Sequence, residues 1–160
     1  MSVSQAAIDA AQRVLINTGI VLATSHVTSP PAGDTAQDNV ADTANGEEAT
    51  RTEPGVCTAG TTAPGGTVPL QASMLEGMEE LTRTYTMRVS EVCGGCHGAT
   101  SRHFAGVAFD VDRIDGKAVA ASHPTYKAFM TDAKAAGATE VLGPGDPGHD
   151  THVHAAWARP

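Results

Sequence analysis

The stretch Ser101-Arg-His-Phe-Ala-Gly-Val-Ala-Phe-Asp110 contains a histidine and an aspartate, and the later stretch His149-Asp-Thr-His-Val-His154 contains three more histidines. Imidazole nitrogens and a carboxylate oxygen form the donor set of a catalytic zinc ion that keeps one coordination position open for water. The fold must bring the two stretches together for these groups to share an ion. We therefore predict a metal site built from both.

Strand geometry explains how the two stretches can present their polar groups. Side chains two residues apart on an extended strand share one face of a sheet. His152 and His154 therefore share a face, and Val153 anchors the strand on the other. Between residues 107 and 111 the same alternation directs Phe109 to a core and Asp110 away from it. The pattern predicts that the zinc site lies in a cleft on a sheet.

Helical and strand patterns are mixed unevenly along the chain. Apolar spacing predicts helices over 5–16 and 71–82, and a third helix that begins at Ser122 with Pro124 in its first turn. Strands are predicted at 20–27, 85–90, 107–111, 117–119, 139–142 and 152–157. The mixture predicts an α+β fold, with helices flanking a small antiparallel sheet. Because 160 residues is near the usual domain size, we expect a single domain over 1–160.

Residues 28–69 differ in composition from the rest of the chain. Pro, Gly, Thr, Ala and Asp are frequent there, and such a composition buries little apolar surface. We expect a long irregular loop that wraps the core or borders the cleft. Asp34, Asp38, Asn39 and Asp42 carry the oxygen atoms that calcium prefers, but their spacing is not that of an EF-hand and favours solvated turn residues.

The three cysteines allow at most one intramolecular disulfide. Cys57 could pair with Cys93 or with Cys96 and tie the 28–69 segment to the domain. The run Cys93-Gly-Gly-Cys96-His97 also matches the attachment motif of c-type haem, and the same residues could contribute to a structural zinc site. A haem would leave the histidine and aspartate pattern unexplained, so we favour the disulfide.

Charge and hydropathy exclude two classes of partner. The formal net charge is −8 and the 10 basic residues are scattered, whereas phosphate binding needs clustered Lys and Arg. No apolar run approaches the roughly 20 residues that cross a bilayer. The N-terminal run from Met1 to Asp9 lacks the positive start and apolar block of a secretory signal. We expect no nucleic-acid partner, no membrane span and no signal peptide in this chain.

The motif residues resemble a known family. Ser101, His103, Gly106, Ala108 and Asp110, followed by His152-Val-His154, are similar to the zinc D-alanyl-D-alanine carboxypeptidases and their relatives, the murein endopeptidases and the zinc fold of hedgehog signalling domains. The resemblance covers roughly residues 85 to 157 and includes the helix between the two halves of the motif.

The resemblance implies a set of metal ligands. His103, Asp110 and His154 would bind one zinc ion per chain. Ser101 matches the serine of the family motif, and we expect it to orient a ligand instead of acting as a nucleophile.

The resemblance also implies which groups move protons. His149 matches a histidine that several members place beside the attacking water, and it is our first choice for the proton acceptor. His152 would lie beside the metal without binding it and would stabilise the oxyanion or share the proton transfer, and Asp150 is a weaker candidate acceptor. Other members have an acidic residue three or six positions before the last ligand, where this chain has Thr151 and Gly148.

The function expected from these features is zinc-dependent hydrolysis of peptidoglycan stem or cross-link peptides next to a D-amino acid. Such an enzyme acts on the cell wall, outside the cytoplasm. The alternative is a non-catalytic binding or structural module that keeps the zinc-peptidase fold. Without a signal peptide, either protein could be delivered as part of a phage particle or a secretion assembly.

Overall fold

The computed structural model describes residues 2–27 and 29–160. The α-helices of this part are α1 (Gln5–Ile16), α2 (Ala36–Ala44), α3 (Ala72–Leu81) and α4 (Tyr126–Ala135). The strands are β1 (Ile20–Leu22), β2 (Ala49–Thr50), β3 (Thr67–Val68), β4 (Met87–Glu91), β5 (Ala108–Ile114), β6 (Lys117–Ala118), β7 (Glu140–Leu142) and β8 (Val153–Ala156). Short 3₁₀ turns lie at Pro54–Val56 and Arg102–Ala105. None of the helices in the described ranges has the length and apolar character needed to cross a membrane.

The predicted α+β fold is confirmed, and its main sheet is mixed. The strand order is β1-β4-β5-β8-β7, with β6 paired to β5, and β2 and β3 form a separate two-stranded sheet. All pairs are antiparallel except β1 with β4, which are parallel, so the prediction of a wholly antiparallel sheet was wrong at this edge. A parallel pair needs a long crossover connection. Here the chain between β1 and β4 supplies it and contains α2 and α3.

Two element boundaries in the structure differ from the predicted ones. The third helix begins at Tyr126, with Thr125 at its N-cap position, and not after the predicted cap Ser122; in between, the His123 ring donates to the Ile114 carbonyl at 2.9 Å and accepts from the Thr125 amide at 3.1 Å. The first strand ends at Leu22, well before the predicted residue 27. The first helix agrees with prediction at both ends.

Residues 29–69 contain α2, the two-stranded sheet of β2 and β3 and a 3₁₀ turn, so regular structure interrupts the irregular loop predicted for 28–69. A capping box starts α2, in which the Thr35 hydroxyl accepts from the Asp38 amide and the Asp38 carboxylate accepts from the Thr35 amide. Ala36 and Val40 are fully buried, and α2 packs against α1. Small residues let the two helices approach closely, so the segment buries more of its apolar surface than its composition indicates. Thr28 lies outside the described residues.

The core lies between α3 and one face of the main sheet. Phe109 of β5 stacks on Trp157 at 5.7 Å between ring centroids, and both rings are buried. Trp157 in turn packs against Gly77 of α3. Because Phe109 and Asp110 are neighbours on a strand, Asp110 projects from the opposite face. The helical layer thereby leaves that face free for a cleft.

Gly77→Ala should destabilise the fold. A Cβ at position 77 would lie 2.1 Å from Cζ2 of Trp157, whose ring has no room to move. Alanine improves helix propensity by up to about 1 kcal/mol, but overpacking costs about 1–3 kcal/mol, and this contact is severe. We expect a net loss of about 1–2 kcal/mol in urea unfolding. Ser73→Ala, at an exposed position of the same helix, is the matched control and should not lose stability. Equal stability of the two variants would contradict this packing.

Candidate metal centre

A 3₁₀ turn and a glycine bring His103 and Asp110 together. His103 lies in the turn Arg102–Ala105, which ends at Gly106 with φ 73°. This left-handed conformation favours glycine. A Cβ at position 106 would also lie 2.5 Å from the Pro69 carbonyl oxygen. The motif glycine therefore lets the chain reverse from the histidine into β5, whose third residue is Asp110.

The sheet register adds His154. Asp110 of β5 lies directly opposite His154 of β8, and directly opposed residues project from the same face. His154 Nδ1 is 3.2 Å from Asp110 Oδ1 and 3.1 Å from His103 Nε2, and His103 Nε2 is 3.1 Å from Asp110 Oδ1. All three side chains are buried. The three predicted ligand residues therefore converge on one point.

Each imidazole has an inner nitrogen that faces the cluster, His103 Nε2 or His154 Nδ1, and an outer nitrogen that faces away from it. The hydrogen bonds of the outer nitrogens indicate the protonation of the inner ones. His103 Nδ1 donates to the Val92 carbonyl oxygen, and His154 Nε2 donates to the Glu140 carboxylate at 2.8 Å. A carbonyl and an ionised carboxylate can only accept, so these outer nitrogens carry protons. In the neutral tautomers the inner nitrogens then present lone pairs, next to a carboxylate oxygen. Three electron-pair donors that face one another within 3.2 Å attract a positive charge.

The pKa values respond to the same convergence. Burial lowers the pKa of His103, but the neighbouring Asp110 carboxylate outweighs it, and the pKa is raised. Burial raises the pKa of Asp110, but the His103 charge and hydrogen bonds from both imidazoles outweigh it, and the pKa lies well below its ordinary value. The cluster therefore favours an ionised carboxylate and a cation beside it, whether a proton or a metal ion.

His97 lies beside this cluster. The sequence indicated His97 only as part of the cysteine motif and not as a neighbour of His103. One donor atom each of His97, His103 and Asp110 lie within 4.8 Å of one another, a group that could hold a metal ion. The rings of His97 and His103 are stacked, with 4.0 Å between centroids and 10° between planes. Two parallel stacked rings cannot both direct an in-plane lone pair at the same ion. His97 would have to turn to become a ligand, whereas His154 already points at the centre.

The state of the cysteines excludes haem attachment and zinc binding by the Cys93 to His97 run. Cys57 and Cys96 form a disulfide with a Cα separation of 5.7 Å, and Cys93 is a buried thiol whose pKa is raised by burial. The haem and cysteine-zinc interpretations were therefore wrong, because Cys96 has no free sulfur and Cys93 is sealed in the core. The disulfide ties the 28–69 segment, at Cys57, to the chain beside the cluster.

Two of the three predicted proton-transfer residues line the cleft, and the third does not. His149 and His152 line the cleft around the cluster, with their rings 4.9 Å apart, and the His149 ring lies 5.8 Å from that of His154. Burial is the largest influence on His152 and lowers its pKa, against the opposing effect of Asp110, which its Nε2 approaches to 3.9 Å. Asp150 is exposed and accepts from the Gly145 amide at 3.3 Å, and it does not line the cleft.

Ser101 contacts the backbone of the predicted ligand His103. Its hydroxyl accepts from the His103 amide at 3.2 Å and caps the 3₁₀ turn. The Ser101 side chain therefore bonds the backbone of His103, whereas the His103 imidazole is bonded to the Val92 carbonyl. Ser101 also lines the cleft.

A buried ion network beneath the cleft was not predicted. The His26 ring lies between two carboxylates, with Nε2 2.6 Å from Asp34 Oδ1 and Nδ1 2.8 Å from both carboxylate oxygens of Glu91. Burial lowers the pKa of His26, but the hydrogen bonds to Glu91 and Asp34 raise it to about 9. Glu91 lies opposite Asp110 in the β4–β5 register and also lines the cleft. The network therefore ties the 28–69 segment to the floor of the site.

The cleft has a volume of about 1370 Å³, with the cluster in its lining. Four arginines also line it, namely Arg88, Arg102, Arg113 and Arg159. Arg88 is paired with Asp112 at 2.6 Å, whereas the other three donate to backbone carbonyls, which do not neutralise their charge. Glu91, Asp110, Asp112 and Glu140 line the same cleft, so the arginines place local positive charge beside carboxylates and do not make the wall positive as a whole.

Comparison with protein-family models, with curated proteins and with solved structures found no match for this chain.

Proposed function

We propose that the protein is a zinc-dependent peptidase that hydrolyses peptidoglycan stem or cross-link peptides next to a D-amino acid. The observation that carries the proposal is the convergence of His103, Asp110 and His154 in a cleft, with their donor atoms 3.1 to 3.2 Å apart. Ligand atoms bound at about 2.0 Å to a tetrahedral ion lie about 3.3 Å from one another. The spacing supports an ion of that size and geometry.

The donor chemistry supports zinc among the divalent ions. Calcium and magnesium prefer oxygen ligands throughout, whereas two imidazoles with one carboxylate suit zinc. Glu140 behind His154 forms the carboxylate–histidine pair that commonly orients a zinc ligand, and the Val92 carbonyl does the same for His103. A zinc ion with three protein ligands supplies Lewis-acid activation of a peptide carbonyl and of a water molecule.

The chain's own residues would then handle the protons. His149 Nδ1 lies 2.8 Å from the Pro147 carbonyl, which can only accept, so in the neutral imidazole Nδ1 carries the proton and Nε2 is the acceptor. We assign to Nε2 of His149 the uptake of a proton from the attacking water and its delivery to the leaving amine. His152 would donate to the oxyanion that develops on the scissile carbonyl. Asp150 has no part in this scheme because it lies outside the cleft.

Two separate arguments support the substrate assignment, the motif resemblance and the arginines of the cleft. The motif resemblance implies peptidoglycan, which places the activity outside the cytoplasm. Independently, the arginines of the cleft wall suit a peptide rich in carboxylates, as stem peptides are, because guanidinium groups bind carboxylates well.

One observation favours a second candidate, a non-catalytic module that keeps the fold and the metal. Positions 148 and 151, where related sequences have an acidic residue, hold Gly148 and Thr151. Glu140 does not replace that residue, because its carboxylate is bonded to His154. A module of this kind would bind cell-wall peptides without cutting them.

Incubation with purified sacculi separates the two candidates. For the enzyme we expect about one zinc per chain by elemental analysis, together with muropeptide release that stops with a chelator and returns with added Zn²⁺. Mass spectrometry should place the cut beside a D-amino acid. Binding to sacculi without release, at full zinc occupancy, would establish the module and overturn the peptidase.

A further inference from the structure

The stacked ring of His97 restrains the metal ligand His103. His103 is fixed at one edge by the bond from its Nδ1 to the Val92 carbonyl, which still permits the ring to tilt about that bond. His97 covers one face at 4.0 Å, and His154 meets the ring at 4.9 Å and 64°. A ring covered on a face and bonded at an edge keeps its lone pair in one direction. That direction is what a ligand needs before an ion arrives.

His97 is itself held from three sides. Its Nε2 donates to the Gly94 carbonyl at 2.8 Å. Its backbone exchanges two hydrogen bonds with Thr62, from the Thr62 amide at 2.8 Å and to the Thr62 carbonyl at 2.9 Å. The preceding residue is Cys96, whose disulfide to Cys57 closes the other end of the strap formed by residues 57–62. The strap is therefore joined to the chain around His97 at both ends, by the Thr62 backbone hydrogen bonds at one end and by the disulfide at the other.

We propose that His97 is a positioning residue for the metal ligand His103, and that the Cys57–Cys96 disulfide locks it in place, so that reduction of the disulfide weakens metal binding. In that reduction a dithiol transfers two electrons and two protons, the S–S bond breaks into two thiols, and the dithiol closes to a disulfide. The inference rests on the metal site of the proposed function and is independent of peptide hydrolysis.

The first test separates a positioning role from a ligand role. His97→Phe keeps an aromatic face against His103 but has no nitrogen, and His97→Ala removes both. We expect zinc affinity, measured by competition with a chromophoric chelator, to fall about 10- to 100-fold in His97→Ala. It should stay within about threefold of wild type in His97→Phe, and the visible absorption of the Co²⁺-loaded protein should be unchanged.

Two results would overturn the positioning role. Equal loss in both variants, with an altered Co²⁺ spectrum, would make His97 a ligand. Unchanged zinc affinity in His97→Ala would remove it from the site altogether. Circular dichroism and cooperative thermal unfolding show that each variant is folded before its affinity is interpreted.

The second test concerns the lock and does not depend on the phenylalanine variant. Cys57→Ser with Cys96→Ser should lose zinc affinity to the same extent as His97→Ala. Wild type reduced with a dithiol should do the same once the dithiol has been removed, because a free dithiol itself binds zinc. Adding His97→Ala to the serine pair should then cost little more, because contacts that act through one another are not additive. Fully additive losses, or full affinity in the reduced protein, would refute the lock. Tight zinc binding without release from sacculi would defeat the peptidase and leave this inference standing.

Discussion

We expect His154→Ala to lose stoichiometric zinc and, with it, all release of muropeptides from sacculi. The substitution removes one of three donor atoms that lie 3.1 to 3.2 Å apart, and it leaves His103 and Asp110 without a third ligand. The loss of affinity should exceed the roughly 100-fold that removal of a supporting contact costs. Zinc content by elemental analysis and release from sacculi should fall together.

The matched control for this prediction is Glu140→Gln. The amide oxygen still accepts from His154 Nε2, so the ring keeps its orientation while the partner loses its charge. We expect zinc affinity to fall by about 10-fold or less, with zinc still bound at saturating concentration. A His154→Ala protein that holds one zinc and remains fully active would rule out the assigned ligand set, and the peptidase proposal with it.

Sequence predicted the site residues that lie on strands, because side chains on a strand alternate between its two faces, and the residue in the motif turn. Alternation along β5 and β8 directs Asp110 and His154 to one face, and the motif supplies His103 through a turn that needs Gly106. Whether β5 and β8 are neighbours depends on the sheet order, which the alternation does not encode. In the structure the two strands are neighbours, and Asp110 lies opposite His154.

The residues that escaped prediction act across long separations in the chain. Glu140 reaches His154 from a neighbouring strand, His26 reaches Glu91 across 65 positions, and His97 meets His103 by stacking, a contact without a sequence signature. The folded 28–69 segment did leave a local signal, because a threonine followed three residues later by an acidic residue can form a capping box. The small residues around it concealed the helix, since their apolar area is low.

The unpredicted network around His26 should make the protein less stable in mild alkali. Both ring nitrogens lie against carboxylates, which can only accept, so His26 is doubly protonated in the fold, and its pKa is raised from 6.5 to about 9. A raised pKa stabilises the folded state fully below the unfolded value, and the contribution is lost as pH rises through the folded value. Asp34, Glu91 and the Thr52 hydroxyl face this network, and the two carboxylates lose their counter-charge when His26 deprotonates.

The free energy of unfolding of wild type should therefore fall by about 2 kcal/mol between pH 6.5 and pH 9, which is less than the full shift implies because the network borders a wet cleft. His26→Gln, which leaves two buried carboxylates without a cation, should cost about 3–5 kcal/mol at pH 6. It should lose the part of the pH dependence that His26 contributes, while His103, whose pKa is also raised, keeps its own part. His123→Gln is the matched control, because it removes a buried histidine that bonds backbone groups. It should keep the wild-type slope in urea unfolding followed across the same pH range. A wild type whose stability is flat through this window, or a His26→Gln protein with an undiminished slope, would mean that His26 is not the buried cation of the fold.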